Sequence, residues 1–163
     1  MNSKIKRIEK SLVKRVYTKR KPSCRKGEFG KLAIIGGSYV YHGSPALAAL
    51  AAYRAGCDLV YLIGPRRAMD LAASFAPELI TFPLNCDVIT KKEIPAILDF
   101  LSRKHAFVIG GGMLRTDEVQ EAVVELLRKV DLPCVIDADA IYACLLYTSD
   151  AADELDGVDL GGR

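Results

Sequence analysis

The sequence predicts an α/β protein built on a mainly parallel sheet with helices on both faces. Three observations predict it. Short apolar runs recur at 31–35, 58–63, 106–109 and 134–137; three of the four stop at glycine; and stretches of helical periodicity separate them. Strands alternating with helices are what right-handed parallel crossovers require.

The elements follow in order. Ile5, Ile8, Leu12 and Val13 among basic residues predict a short amphipathic helix over 3–15. After a loop, Lys31-Leu-Ala-Ile-Ile-Gly-Gly reads as a buried strand closed by a glycine pair. Ser44 is expected to cap a helix with Pro45 in its first position, running to Arg54 and ending at Gly56. The unit then repeats as a strand over 58–63, a Gly64-Pro65 loop and a helix to about Ser74, followed by a short strand over 79–82. Thr90 can cap a helix through Leu101, although Pro95 allows the start to fall near Glu93. A strand over 106–109, Gly110-Gly111-Gly112, a helix over 117–129 and a strand over 134–137 complete the series.

Composition narrows the function classes. Half of the 163 residues are apolar, enough to bury one core. No apolar run reaches the roughly 18 residues that span a bilayer, and no signal-peptide core follows the basic start. A cytoplasmic protein with no membrane partner is the expectation. Cys24, Cys57, Cys86, Cys134 and Cys144 form no CxxC pair and no Cys/His cluster, so free thiols are expected and no metal is assigned to them. Residues 1–31 hold twelve Lys and Arg against Glu9 and Glu28. Without aromatic interleaving or a recognition motif, that arm reads as a solvated basic helix, not a nucleic-acid site.

Ligands of open parallel sheets bind beyond the carboxyl ends of the strands. Three loops there carry candidate residues. Gly36-Gly37-Ser38 lets a phosphate or sugar approach the backbone, with a serine hydroxyl to donate. Gly110-Gly111-Gly112 repeats the device, and Asp137-Ala138-Asp139 places two carboxylates at a strand end, where Asp139 can equally cap the next helix. The spacing after Gly36 fails the dinucleotide fingerprint G-x-G-x-x-G, and no Walker A pattern is present. His42 and His105 have no partner at a recognisable spacing and read as loop and surface residues.

The ordered set of motifs resembles one family. Lys26-Gly-Glu-Phe-Gly, Ile35-Gly-Gly-Ser, Tyr41-His-Gly-Ser-Pro-Ala-Leu-Ala-Ala-Leu, Pro77-Glu78, Val108-Ile-Gly-Gly-Gly-Met-Leu-Arg-Thr and Pro133-Cys-Val-Ile-Asp-Ala-Asp-Ala-Ile are similar to segments of the ADP- or ATP-dependent NAD(P)HX dehydratases, over residues 24–143. The resemblance implies a ribokinase-like fold and repair of the hydrated cofactors NADHX and NADPHX, with ADP or ATP as co-substrate and Mg2+. It also implies that Ser44, where the family often has alanine, and Gly112 bind the hydrated cofactor, with Gly36, Gly37, Ser38, Gly110, Gly111 and Asp137 supporting. Gly111 departs from the usual Gly-Pro-Gly. The family's catalytic aspartate belongs to a Gly-Thr-Gly-Asp motif that these 163 residues do not contain, so no catalytic residue is assigned and the chain as written is expected to be inactive. Partners are expected to be small-molecule nucleotides, with a homo-oligomer left open. A ribokinase-like vitamin-precursor kinase and a non-catalytic nucleotide-binding module are the alternatives.

Three segments are therefore expected: a basic helix and linker over 1–23, the N-terminal half of a dehydratase domain over 24–143, and a tail over 144–163. Cys144-Leu-Leu-Tyr-Thr-Ser-Asp-Ala-Ala-Asp-Glu and Gly157-Val-Asp-Leu-Gly-Gly-Arg match what one frame of a transposon sequencing adapter encodes, so the tail is read as non-native.

Overall fold

Lys31–Ile35 carries an unbroken apolar run and becomes β1, the central strand of a five-stranded parallel sheet in the order β3-β2-β1-β4-β5. The other strands are β2 (Leu59–Pro65), β3 (Ile80–Leu84), β4 (Ala106–Ile109) and β5 (Cys134–Ile136). Helices α1 (Lys10–Val16), α2 (Gly43–Arg54), α3 (Arg66–Phe75), α4 (Ile94–Leu101), α5 (Asp117–Lys129) and α6 (Asp139–Ala151) complete the series. The structure, a computed structural model, describes residues 9–17 and 19–151, with side chains as far as Leu145.

Alternation along the strands sends side chains to two separate cores. Ile34, Val60 and Leu62 face Ala46 and Ala49 of α2 and Ala68, Met69 and Ala72 of α3. Ala33, Ile35, Phe107 and Ile109 point the other way, into Ile94, Ile97 and Leu101 of α4 and Val119, Val123 and Leu126 of α5. Ala140 and Ala143 of α6 close that layer. Each large side chain so buried contributes about 1.5–3 kcal/mol relative to exposure, which makes the sheet a rigid platform for the loops at its ends.

Several boundaries differ from expectation. Within the described residues α1 starts at Lys10 and buries none of its side chains, while residues 1–8 lie outside those described. Helix α2 opens at Gly43, so His42 takes the cap position and Ser44 lies inside the first turn without capping it. Gly64 and Pro65 extend β2, because they pair with Pro83 and Leu84 of β3. Thr90 does form a capping box with Glu93, but on a 3-10 turn over Lys91–Glu93 that leads into α4. At the β5 edge of the sheet Val135 is 59% exposed. The expected divide at residue 143 falls within α6, and residues 152–163 lie outside those described.

Two devices fasten the chain at the opposite, amino end of the sheet. Helix α2 ends in a Schellman arrangement, with Cys57 N–H donating to Ala52 O and Gly56 N–H to Tyr53 O, and Gly56 adopts φ +97°. Next to it the Asp58 carboxylate accepts from the backbone N–H of Phe29 (2.9 Å) and Gly27 (3.0 Å) and from Arg20 (2.7 Å). The Phe29 N–H, helped by the Gly27 N–H and the Arg20 guanidinium, holds its pKa below the usual carboxylate value against the opposing effect of burial. A folded-state pKa below the unfolded one stabilises the protein at pH above the unfolded value, and this is lost as pH falls through the folded value. Asp58→Asn is therefore expected to lower the urea midpoint at neutral pH, with the gap from wild type closing below about pH 4, where the unfolded carboxyl protonates. Urea melts across pH 3–7, on the order of that window, check it.

Candidate functional site

At the carboxyl end of the sheet the ladder of hydrogen bonds continues past the strands into the loops. Gly36 N–H donates to Ile63 O (3.2 Å), Gly37 N–H to Gly111 O (2.9 Å), Gly110 N–H to Ile35 O (3.3 Å) and Asp137 N–H to Ile109 O (3.0 Å). Glycine makes this approach feasible. A Cβ on Gly64 would meet the Gly36 carbonyl oxygen, one on Gly36 would sit 2.5 Å from the Gly111 carbonyl oxygen, and one on Gly110 would meet the Asp137 carbonyl oxygen. Four adjacent strand exits thus pack backbone against backbone and form a floor.

Above that floor lies a cavity of about 610 Å³ lined by Val40, Tyr41, His42, Gly43, Ser44, Gly112, Leu114, Arg115 and Asp139. Ser44 and Gly112 come from different strand-to-helix connections, and the fold brings them to this one space. Gly112 holds φ +72°, and a Cβ on it would lie 2.8 Å from the Tyr41 Cβ, so glycine keeps the wall open. Gly111 packs on Ser44, whose Oγ occupies the place where a side chain at 111 would begin. Residues 44 and 111 therefore share one space and form one packing unit.

Gly36, Gly37, Ser38, Gly110, Gly111 and Asp137 do not line the cavity. Ser38 is completely buried, and its Oγ accepts from the N–H of Tyr41 (3.0 Å) and Val40 (3.3 Å). Through these two bonds it braces its own loop. The backbone N–H groups of Gly36, Gly37 and Gly110 already bond to neighbouring strands and loops. Asp137 is exposed beside the β5 exit. His42 stands on the cavity rim, while His105 lies at the start of β4, where its N–H donates to Lys31 O at the amino end.

Asp139, which its local sequence marks as a helix cap, reaches elsewhere. Its Oδ2 accepts from Leu114 N–H (3.1 Å) and its Oδ1 from Arg115 Nε (2.9 Å). Gln120 Nε2 donates to Leu114 O at 3.4 Å, so Leu114 is held at both its N–H and its carbonyl. Leu114 adopts φ +74°, a conformation that costs a non-glycine residue about 1–2 kcal/mol. The loop after β4 is thereby pinned in one shape.

A second cavity of about 490 Å³, lined by Arg66, Arg67, Asp70, Asn85, Cys86 and Asp87, lies beyond β2 and β3. Burial, then the charges of Glu93 and Asp87, push the Cys86 thiol up to about 11. It stays protonated at neutral pH and is a poor nucleophile there.

Comparison with known proteins places these features in a family. Residues 32–153 match the profile described as NAD(P)H-hydrate dehydratase, a match that continues past residue 143. The ADP-dependent (S)-NAD(P)H-hydrate dehydratase of Nitrosopumilus maritimus is 35% identical over 140 residues, 83% of this chain and 48% of that protein. The crystal structure of the ADP/ATP-dependent NAD(P)H-hydrate dehydratase of Bacillus subtilis, co-crystallised with ATP and Mg2+, superposes with a TM-score of 0.66 at 25% identity, covering 81% of this chain and 45% of that one. A ribokinase-like superfamily protein of Enterococcus faecalis shares the fold with a TM-score of 0.73 at 20% identity, over 86% of this chain and 48% of its own. The chain spans about half the length of each of these three proteins.

Proposed function

Because the chain belongs to the NAD(P)H-hydrate dehydratase family, we propose that it forms the part of such an enzyme that receives the hydrated nicotinamide, for conversion of (6S)-NADHX and (6S)-NADPHX to NADH and NADPH at the expense of ADP or ATP. The observation that supports this reading is the single cavity in which Ser44 and Gly112 meet over a floor of backbone. Hydroxide is a poor leaving group. Transfer of the terminal phosphoryl group of the nucleotide to the ring hydroxyl makes it a good one, and the lone pair of the ring nitrogen then expels phosphate as the carbon–oxygen bond breaks. Loss of a proton from the neighbouring carbon restores the double bond. Catalysis of this kind rests on positioning and electrostatics, for which a rigid floor is suited. Among the described residues no group of three or more His, Cys, Asp or Glu could hold a metal ion, so no step is assigned to Mg2+.

The proposed partners are small-molecule nucleotides. Among the described residues no helix is long and apolar enough to cross a membrane, and the five free cysteines support a reducing, cytoplasmic setting. Analytical ultracentrifugation decides between a monomer and a homo-oligomer. The cavity assignment is tested by titrating the 163-residue chain with NADH and following reduced-nicotinamide fluorescence. Saturable binding is expected, weakened about tenfold or more by Gly112→Ala, since the strained Cβ pushes against Tyr41. Failure of the wild-type chain to bind NADH would overturn the reading.

A further inference from the structure

Arg115 is the only Lys or Arg among the residues that line the cavity holding Ser44 and Gly112. Contacts on Arg115 and on its neighbour Leu114 hold it there. Asp139 takes its Nε at 2.9 Å, the Tyr142 ring lies 5.4 Å from the guanidinium carbon, and the preceding residue, Leu114, is gripped by Asp139 and Gln120. Both oxygens of Asp139 are engaged in this mount, so its charge is directed at the loop and at Arg115. The two Nη amino groups of Arg115 have no hydrogen-bond partner among the described residues. A guanidinium fixed through Nε presents these groups as a planar pair, the geometry that matches two oxygens of one phosphate. At 60% side-chain exposure it is also accessible from solution.

We propose that Arg115 is the phosphate-binding residue of this cavity, and that Asp139 is the residue that positions it. The ligand class is a dinucleotide whose reduced nicotinamide lies by Ser44 and Gly112 while its pyrophosphate meets Arg115. The identity of that ligand rests on the dehydratase reading, whereas the anion site rests on Arg115 and Asp139 alone.

The test extends the NADH titration to Arg115→Gln, Arg115→Lys and Asp139→Asn, with reduced nicotinamide riboside as a phosphate-free probe and inorganic pyrophosphate followed by calorimetry. Arg115→Gln is expected to weaken NADH binding about tenfold or more, the scale of a lost charge-assisted hydrogen bond. It should leave riboside binding and the thermal midpoint unchanged. Arg115→Lys should recover part of the loss. Wild-type affinity for NADH should fall with added salt, and that dependence should shrink in Arg115→Gln but persist in Asp139→Asn, which keeps the charge and loses its orientation. Unchanged NADH binding by Arg115→Gln, or an equal loss for the riboside, would overturn the proposal. Pyrophosphate binding that needs Arg115, without any NADH binding, would sustain the anion site and remove the dinucleotide reading. A chain that binds neither probe would overturn both.

Discussion

Gly110→Ala is expected to be severely destabilising, with a large drop in the urea midpoint. Two costs coincide at this position. The backbone sits at φ +128°, where an L side chain is strained, and the added Cβ meets the Asp137 carbonyl oxygen and lies 2.9 Å from the Ala140 Cβ. Overpacking against fixed backbone costs about 1–3 kcal/mol and often more, and a strained φ adds about 1–3 kcal/mol. The sum, about 2–6 kcal/mol, reaches the lower end of the whole stability of natural domains, about 5–15 kcal/mol. Gly43→Ala is the control, since nothing lies within 4 Å of a Cβ there. Urea melts of the two variants should differ widely, with Gly43→Ala close to wild type. A Gly110→Ala protein as stable as the control would show that the strand exits have room that their geometry denies.

The second large effect concerns chemistry. Supplied with NADHX and either ADP or ATP, the 163-residue chain is expected to produce no rise in reduced-nicotinamide absorbance. Its sequence contains no Gly-Thr-Gly-Asp segment, and the family resemblance places both the general base and the nucleotide anion hole there. Loss of a general base alone costs on the order of 10²–10⁴ in rate, and loss of an anion hole removes transition-state stabilisation as well. A chimera that continues this chain with the corresponding C-terminal segments of the Nitrosopumilus relative should regain the reaction. Replacing the aspartate of that motif by asparagine in the chimera should abolish it again while the melting curve stays in place. Conversion by the unextended chain at the chimera's rate would refute the assignment of the catalytic centre.

Local pattern made most of the architecture legible. Strand β4 and helix α5 begin and end where their periodicity predicts, at Ala106–Ile109 and Asp117–Lys129, because each is bounded by strong local signals: a glycine triplet after one, acidic and basic turns at the ends of the other. Ser44 and Gly112, which the family resemblance singles out, line one cavity; Asp139 was not singled out in this way. An Asp at the start of a helix satisfies the local rule for a cap, and nothing nearby in sequence announces partners at Leu114 and Arg115, in a different loop. At Ser38 too the local pattern is ambiguous: a serine after two glycines fits phosphate binding and a self-braced turn equally, and its burial and its bond from Tyr41 N–H show the turn. Gly64 read as a loop because a strand's end depends on its neighbour, here β3, which continues beside it through Leu84.

The floor of backbone has a consequence for how such a site can diversify. At Gly36, Gly64 and Gly110 any side chain collides with a neighbouring main chain, so drift at these positions is closed, and so is laboratory recombination that breaks up their pairing. Variation is confined to the rim, where Val40, His42 and Arg115 project into the cavity without carrying the sheet. A library randomised at those three positions should retain folded members in most clones and differ mainly in ligand preference. One randomised along the glycine seam should yield few soluble clones. New specificity on this scaffold is therefore a change of rim on a base that tolerates no side chain at these three glycines.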